Sequence, residues 1–265
     1  MQKNFSEYKP SRRILAKFST GKFNFVKRAK IPLLGKIGII GGGSLANLTI
    51  LKKAKLKNIL TPYGKAFYYL IKKKPLILRH GPKGDIPPHK INYRANIFTL
   101  KKLGVKFIFS FNSVGSLKKG IKPGNILIPT DYIDFDTLTF YEKNPKFITP
   151  QISEKLRKVI IKILEKLNLK FFKKGVYFNT KGPRLETKTE ISLIKNFADV
   201  VGMTMAKEAT LANELGLEYA SVCSVDNYAH GLIKKPLSIK DIRENQARNK
   251  KNIENIIEEI LRTEI

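Results

Sequence analysis

The chain has 265 residues, of which 42% are hydrophobic and 10% aromatic, enough apolar material to form a core and exclude wholesale disorder. No apolar run approaches the roughly 18 residues that a membrane helix needs, and the first residues lack the apolar stretch of a signal peptide, which predicts a soluble, cytoplasmic protein. A single cysteine, Cys223, excludes a disulfide framework and a cysteine-based metal cluster, and with only three histidines we expect no metal.

The net charge of +30 comes from 51 lysines and arginines against 21 aspartates and glutamates. Such a charge raises the question of nucleic-acid binding. Lysines recur along the whole chain instead of in one stripe, which favours solvated lysine-rich faces and makes nucleic acid a less favoured partner. The same positive field would also attract a small anionic substrate such as phosphate.

Residues 1–35 carry nine basic residues and one acidic residue, Glu7. We interpret this segment as a basic N-terminal arm. We see no internal repeat after it, and the Pro- and Gly-bearing loops are too short for interdomain linkers. The sequence therefore predicts one domain over residues 36–265.

Hydrophobic patterns predict strands, several of them continuous apolar runs typical of a sheet interior. They are Lys36–Ile40, Ala66–Ile71, Leu76–Leu78, Lys106–Phe111, Asn125–Ile128, Gly175–Asn179, Asp199–Val201 and Tyr219–Val225. Helical periodicity and cap signals predict helices at His89–Leu103, Ser153–Leu167, Thr187–Lys195, Ala206–Leu215 and Ile239–Leu261. Strands that alternate with helices indicate an α/β fold.

Two motifs follow predicted strands and suit an anion. In IGIIGGGS, residues 37–44, a strand runs into three glycines whose N–H groups can close on an oxyanion, and Ser44 adds a hydroxyl donor. In LRHG, residues 78–81, a strand ends in Arg79 and His80, and the guanidinium offers a fixed fork of donors. A simple turn and a surface ion pair are the ordinary alternatives for these two motifs.

Three further segments combine strands with polar residues. A small-residue loop is expected at Asn112–Ser116, where backbone amides could approach a ligand. In NTKGPRLETKTE, residues 179–190, Glu186 stands at a helix start, where pairing with the helix dipole is the alternative role. Asp226 and Asn227 follow an apolar strand, at the kind of strand end where α/β proteins bind ligands.

Taken together and in this order, the segments IGIIGG, RHG, PPHKINYRAN, NSVGSL, GPRLET, DVVGMT and DNYA resemble the nucleoside phosphorylase family over about residues 36–260. That family includes trimeric purine nucleoside phosphorylases and methylthioadenosine phosphorylases. The resemblance implies a central mixed sheet that curls into a distorted barrel flanked by helices. It also implies a homotrimer, or a homohexamer built from trimers.

The resemblance further implies a phosphate pocket beside a nucleoside pocket. Phosphate would be held by Gly43, Ser44, Arg79, His80, Asn112, Ser113 and Thr204. The nucleoside would be contacted by Met203 at the ribose, Glu186 and Asn227 at the purine, Tyr228 and Ala229 in the base-side loop, and Ile239 at the 5′ side. The catalytic groups would be Asn227, Glu186, Arg79 and His80.

The residues at the base end predict the class of substrate. In similar enzymes that act on 6-aminopurines, a small hydroxyl residue and an aspartate are usual at the positions of Glu186 and Asn227. A carboxylate accepts the N1–H of hypoxanthine or guanine but repels the unprotonated N1 of adenine, and an asparagine amide can bridge O6 and N7. Because buried groups left unpaired are costly, such a site rejects the wrong base. We therefore expect a 6-oxopurine nucleoside.

The implied reaction is phosphorolysis of inosine, guanosine or 5′-methylthioinosine to free purine and (methylthio)ribose 1-phosphate, in purine salvage. Inorganic phosphate is then a co-substrate, and no cofactor is expected. A methylthioadenosine phosphorylase is the alternative enzyme. A weakened descendant with a nucleic-acid-binding role is the alternative from a different class.

Three positions depart from the family pattern. Gly43 stands where threonine is usual, and the hydroxyl comes one residue later at Ser44. Gly84 and Asp85 stand where a histidine or asparagine is common, and Lys207 replaces a proline after GMT. These departures predict a shifted or lost phosphate donor, a changed sugar or 5′ contact and a changed entry into the following helix.

Overall fold

The computed structural model describes residues 35–46, 48–52 and 54–265. The predicted basic arm falls outside the described residues except at its last position, Gly35, and the side chain of Ser44 also lies outside them. Among the described residues, none of the helices has the length and apolar character needed to span a bilayer.

The first part of the sheet is built from neighbouring strands with short connections. The strands are β1 (Ile37–Gly41), β2 (Lys55–Thr61), β3 (Gly64–Ile71) and β4 (Lys74–Leu78), with short helices α1 (Gly43–Ala46) and α2 (Thr49–Lys52) after β1. β1 lies parallel to β4, while β2, β3 and β4 form antiparallel hairpins. β2 was not predicted, because its lysines alternate with apolar residues on a largely exposed edge strand.

A 3₁₀ turn, Pro88–Lys90, precedes helix α3 (Tyr93–Lys102) and the long strand β5 (Phe107–Ser116). The predicted helix start at His89 is too early, because the Asn92 side chain caps the helix by accepting from the N–H of Ala95 at 3.0 Å. The predicted loop Asn112–Ser116 is wrong as well. These residues continue β5, which pairs over this stretch with the last strand of the sheet.

The second half of the chain alternates short strands with helices. The elements are β6 (Ile126–Leu127), β7 (Asp131–Ile133), α4 (Glu154–Lys166), β8 (Phe171–Phe172), β9 (Val176–Asn179), α5 (Lys188–Ile194), β10 (Val200–Gly202), α6 (Met205–Glu214), β11 (Glu218–Tyr228) and α7 (Ile239–Arg262). Every helix predicted here is confirmed within a residue or two at each end. The short strands β7 and β8 were missed.

The described strands form one mixed sheet in the order β2-β3-β4-β1-β5-β10-β9-β7, with β11 branching from β5 to β6 and β8. The α/β fold with a central mixed sheet is therefore confirmed. Closure of the sheet into a distorted barrel stays a prediction. Strands β4, β1, β5 and β11 are mutually parallel neighbours, so their carboxyl ends meet along one edge, where ligands bind in open α/β sheets.

Helices α4 and α7 cover the apolar centre of the sheet. Leu156 and Ile160 of α4 and Ile256 and Ile260 of α7 are fully buried in the same cluster as Phe109 of β5. Burial of such side chains contributes about 1.5–3 kcal/mol each. The core thus holds the parallel strands rigidly and leaves the polar residues at their carboxyl ends free to form a site.

Candidate active site

A cavity of about 440 Å³ lies at the carboxyl ends of the parallel strands, a volume typical of small-molecule sites. The predicted site residues on its wall are Gly43, Arg79, His80, Ser113, Glu186, Met203, Thr204, Asn227 and Ala229. Gly84 and Asp85, two of the departures from the family pattern, lie on the same wall. Segments far apart in sequence therefore converge on one cavity.

Three other predicted residues lie off this wall. Asn112 is buried behind it, where its Nδ2 donates to Oγ1 of Thr204 at 2.8 Å. The Tyr228 hydroxyl donates to the carbonyl of Lys119 at 3.2 Å, away from the cavity. Ile239 is 54% exposed, and Ile242, about one turn further along α7, takes its expected place on the wall.

The three glycines at the end of β1 and directly after it have different surroundings. A Cβ at Gly41 would lie 1.9 Å from Cδ2 of Leu45, and one at Gly42 would lie 3.0 Å from Nη1 of Arg79. Both contacts are too close for a larger residue. No atom lies within 4 Å of a Cβ built at Gly43, so this position has open space at the cavity wall.

Arg79 is 2% exposed, and its guanidinium is held by three partners. Nε and Nη2 donate to the two carboxylate oxygens of Glu208 at 2.6 and 3.1 Å, Nη2 also donates to Ser110 at 2.8 Å, and Nη1 donates to the carbonyl of Phe111 at 2.8 Å. Burial opposes the charge of Arg79, but Glu208 outweighs it and raises the arginine's pKa. Because Nη1 carries two hydrogens, one remains for a ligand on the cavity side.

Glu208 lies on α6 and is 1% exposed. Besides Arg79, its carboxylate accepts from the hydroxyls of Ser110 and Tyr219, each at 2.9 Å. This buried ion pair fixes the direction of the Arg79 fork. Sequence analysis missed Glu208, although an acid among the apolar residues of a predicted helix is a usable signal of a buried partner.

His80 is oriented by the backbone. Its Nδ1 lies 2.7 Å from the carbonyl oxygen of Ile86, which can only accept, so Nδ1 carries the proton. Burial and the charge of Arg79 lower the pKa of His80. The neutral ring therefore has Nε2 as an acceptor beside the glycine turn, where Nε2 would lie 3.6 Å from a Cβ at Gly42.

The junction of β10 and α6 positions Thr204 and Met203. The buried hydroxyl of Tyr177 accepts from the backbone N–H groups of Thr204 and Met205 at 3.2 and 3.4 Å. A Cβ at Gly202 would lie 2.3 Å from that hydroxyl oxygen, so only glycine fits there. Close packing at this junction thus sets the position of two residues on the cavity wall.

Glu186 also lies on the cavity wall and is 8% exposed. The hydroxyl of Thr180 donates to its Oε1 at 2.6 Å. The alternative role of Glu186 as a helix-start acid is filled by Glu190, which forms a capping box with Thr187 at the start of α5. Glu186 is thereby free to face a ligand.

Asn227 lies near the end of β11, where the pairing with β5 shifts register between Val225 and Asn227. Its Nδ2 donates to the carbonyl of Tyr228 at 2.9 Å. His230 connects the segments that carry Asn227 and Glu186, because its Nδ1 lies 3.2 Å from the carbonyl oxygen of Glu186. A Cβ at Gly115 would lie 3.1 Å from Nδ2 of Asn227, so the glycine lets β5 approach this amide.

Lys207 lies in the first turn of α6, which starts at Met205. Its ammonium group binds the carbonyl of Asp136 and lies 3.0 Å from Oδ2 of the same residue. Lys207 therefore joins the first turn of α6 to the segment after β7. The expectation of a helix entry that differs from the family pattern stays a prediction.

Comparison with known proteins identifies the family of this chain. Residues 36–262 match the family described as the phosphorylase superfamily. The chain belongs to the phosphorylase superfamily. Among its relatives, an Archaeoglobus fulgidus protein named "probable 6-oxopurine nucleoside phosphorylase" is 43% identical, over 85% of this chain and 96% of the relative.

A second member of the superfamily, from Methanocaldococcus jannaschii, is named "probable S-methyl-5′-thioinosine phosphorylase" and is 44% identical, over 85% of this chain and 91% of the relative. Among solved structures, methylthioadenosine phosphorylase from Schistosoma mansoni in complex with adenine has a TM-score of 0.75. The match covers 86% of this chain and 91% of that one at 24% identity, so it shows the shared fold.

Proposed function

We propose that this member of the phosphorylase superfamily catalyses the phosphorolysis of 6-oxopurine nucleosides. The observation that supports it most strongly is that one cavity is lined both by Arg79, His80 and Thr204, whose chemistry suits an anion, and by Glu186 and Asn227, whose chemistry suits a 6-oxopurine. A nucleoside and a phosphate that react with each other must occupy adjacent places, and this cavity has room for both.

At the anion-binding end, each group has a distinct role toward phosphate. The remaining Nη1 hydrogen of Arg79 and the Thr204 hydroxyl donate to phosphate oxygens. The neutral His80 accepts from a protonated phosphate oxygen at Nε2. Backbone N–H groups of the glycine turn complete the pocket, and Gly43 leaves space where a further hydroxyl donor would fit.

At the purine-binding end, Glu186 accepts the N1–H of hypoxanthine or guanine. Thr180 occupies Oε1, which leaves Oε2 for the base. Asn227 bridges O6 and N7 and stabilises the negative charge that develops on the leaving purine. The names of the two archaeal relatives, which refer to a 6-oxopurine and to methylthioinosine, are consistent with this assignment.

In the reaction, a phosphate oxygen attacks C1′ as the bond from C1′ to the purine nitrogen breaks. The purine leaves with the electron pair and takes up one proton from solvent, and the sugar becomes ribose 1-phosphate or its 5-methylthio analogue. The sugar has oxocarbenium character in the transition state, and phosphate beneath it supplies both counter-charge and nucleophile. Attack from the face opposite the base inverts the configuration at C1′. The proposed reaction uses no cofactor besides the phosphate co-substrate and no metal.

A methylthioadenosine phosphorylase remains the alternative, and a substrate panel distinguishes the two. Inosine, guanosine, methylthioinosine, adenosine and methylthioadenosine are each incubated with the purified protein, with and without phosphate. We expect phosphate-dependent release of hypoxanthine or guanine. The ratio of the turnover rate of methylthioinosine to that of inosine shows which 5′ substituent the pocket prefers. Faster release of adenine from methylthioadenosine would favour the alternative.

We also infer that the enzyme acts in the cytoplasm as a homotrimer or hexamer. The assembly is supported by large exposed aromatic side chains, Phe135 at 86%, Phe147 at 93% and Phe197 at 65% exposure. Sedimentation velocity tests the assembly, and RNA binding compared before and after deletion of residues 1–35 tests a nucleic-acid role for the arm.

A further inference from the structure

A buried hydrogen-bond chain beside the cavity is not used by the reaction described above. At its centre is Asp226, which is completely buried at the register shift of β11. A bulge of this kind redirects side chains. The Asp226 carboxylate accepts from the hydroxyl of Ser113 and from the hydroxyl of Ser224, the latter at 2.7 Å. Asp226 itself does not line the cavity.

Two side chains of α7 donate hydrogen bonds to the hydroxyls of Ser113 and Ser224. Nε2 of Gln246 donates to Oγ of Ser113 at 3.1 Å, and Nδ2 of Asn249 donates to Oγ of Ser224 at 2.9 Å. Amide groups donate to the hydroxyls, and the hydroxyls donate to the carboxylate. Burial raises the pKa of the Asp226 carboxyl and the hydrogen bonds from Ser113 and Ser224 oppose that rise; both hydroxyls donate to it, so this chain of donors ends at Asp226.

Ser113 and Gln246 of this chain both line the cavity, and Ser113 is the one whose hydroxyl donates directly to Asp226. It is the one exposed residue of β5, whose other residues are buried. A serine hydroxyl has one hydrogen and two lone pairs. The hydrogen goes to Asp226 and one lone pair accepts from Gln246, so one lone pair remains for a ligand. Toward the cavity, Ser113 therefore acts as a hydrogen-bond acceptor.

The place of Ser113 along β5 indicates which part of the ligand it meets. Phe111 accepts from Arg79 and Asn112 donates to Thr204, both at the phosphate end, whereas Gly115 approaches Asn227 at the purine end. Ser113 lies between them on the same strand. Since the sugar C1′ bonds to the purine before the reaction and to phosphate after it, the sugar must occupy this middle part of the cavity.

We propose that Asp226 is a specificity-determining positioning residue: it takes the hydroxyl proton of Ser113, so that Ser113 accepts a hydrogen bond from a ring hydroxyl of the nucleoside's sugar. This inference rests on the proposed function and adds the recognition of the sugar. A sugar that lacks the hydroxyl leaves the Ser113 lone pair without a donor, and a site built for such a bond discriminates against it.

The test compares the wild type with Asp226→Asn, Ser113→Ala and the matched control Ser224→Ala, which removes the other hydroxyl on Asp226 without changing the cavity wall. Each protein is assayed with inosine, 2′-deoxyinosine and 3′-deoxyinosine at saturating phosphate. We expect the wild type to prefer inosine over one of the deoxy analogues by about tenfold in kcat/KM. Asp226→Asn has the same shape but donates, so both it and Ser113→Ala should lose most of that preference, while Ser224→Ala keeps it.

Two results would overturn the inference. One is an equal loss of kcat/KM for all three nucleosides in Asp226→Asn and Ser113→Ala, which indicates a purely structural role. The other is a change confined to the KM of phosphate, which places the acceptor at the phosphate end. If Asp226→Asn does not fold, the inference is tested by the preference of Ser113→Ala for inosine over the deoxy analogues.

A binding measurement separates this inference from the proposed function. Thermal shifts are recorded with ribose 1-phosphate and with 2-deoxyribose 1-phosphate, together with the nucleoside assays. A wild type that neither turns over a nucleoside nor binds a sugar phosphate refutes the proposed function and the inference with it. An active wild type whose preference is unchanged in Asp226→Asn and Ser113→Ala refutes the inference alone.

Discussion

Removing Glu208 should destabilise the fold and weaken phosphate binding at the same time. In Glu208→Ala, the Arg79 guanidinium keeps its charge at 2% exposure but loses both carboxylate bonds, at 2.6 and 3.1 Å. Loss of one partner from a buried ion pair costs about 3–5 kcal/mol, a large part of the roughly 5–15 kcal/mol that holds a typical domain together. The released guanidinium also no longer aims its remaining hydrogen at phosphate, so we expect the KM of phosphate to rise about tenfold or more.

Urea unfolding followed by circular dichroism measures the first effect, and initial rates at varied phosphate concentration measure the second. Glu208→Gln should show an intermediate loss, since it keeps one acceptor for Arg79 but sets an amide donor against the Ser110 and Tyr219 hydroxyls. Glu214→Ala is the control on the same helix: Glu214 accepts from the N–H of Phe140 at 2.7 Å and has no cation partner among the described residues, so stability should fall while the phosphate KM stays unchanged. If Glu208→Ala lowers the free energy of unfolding by less than about 1 kcal/mol and leaves the phosphate KM unaltered, Glu208 does not hold Arg79 in the way described here.

The other predictions concern substrate choice, the glycines and pH. Glu186→Gln should lower kcat/KM for inosine at least about tenfold and narrow the gap to adenosine, because the amide no longer offers a charged acceptor to N1–H; equal losses for both nucleosides would contradict the base assignment. Gly43→Thr should fold normally, since its Cβ meets no atom within 4 Å, and should lower the phosphate KM, whereas Gly202→Ala should lower both the melting temperature and activity because its Cβ would lie 2.3 Å from the Tyr177 hydroxyl oxygen. The bond from Arg184 lowers the pKa of Glu190 to about 2 from 4.5, so the stability it contributes is present above pH 4.5 and is lost as the pH falls toward 2. Glu190→Gln should therefore cost at most about 1 kcal/mol at pH 7, because the pair is exposed, and urea unfolding should show that difference shrinking in acid.

The parts of the fold that were predicted correctly are those with strong local signals. Apolar runs identified β1, β5 and β11, and helical periodicity located the starts of α4, α5 and α7 to within a residue. The strand β2 was missed because an edge strand needs no continuous apolar run. The residues Asn112–Ser116 were predicted as a loop because small polar residues are typical of loops, yet pairing with β11 keeps them in a strand.

Site residues that follow the end of a strand could be predicted from the sequence. Residues that hydrogen-bond to them from distant segments could not. Arg79 could be expected at the cavity from its place after β4. Its partner Glu208 is 129 residues away, and no local pattern links the two. The same holds for Gln246 of α7, which reaches Ser113 across 133 residues. Tertiary packing alone brings such pairs together. The hydrogen bonds within each pair determine which donor or acceptor remains available to a ligand.

The central claim is that phosphate itself attacks the sugar of a 6-oxopurine nucleoside. Phosphorus NMR of the purified protein with inosine and phosphate tests it most directly, because the sugar product is observed with its anomeric configuration. We predict that the phosphate signal is converted to α-ribose 1-phosphate as hypoxanthine appears, with methylthioinosine giving the corresponding methylthio product. Hypoxanthine released with free ribose and an unchanged phosphate signal, or no product from either nucleoside, would contradict the account.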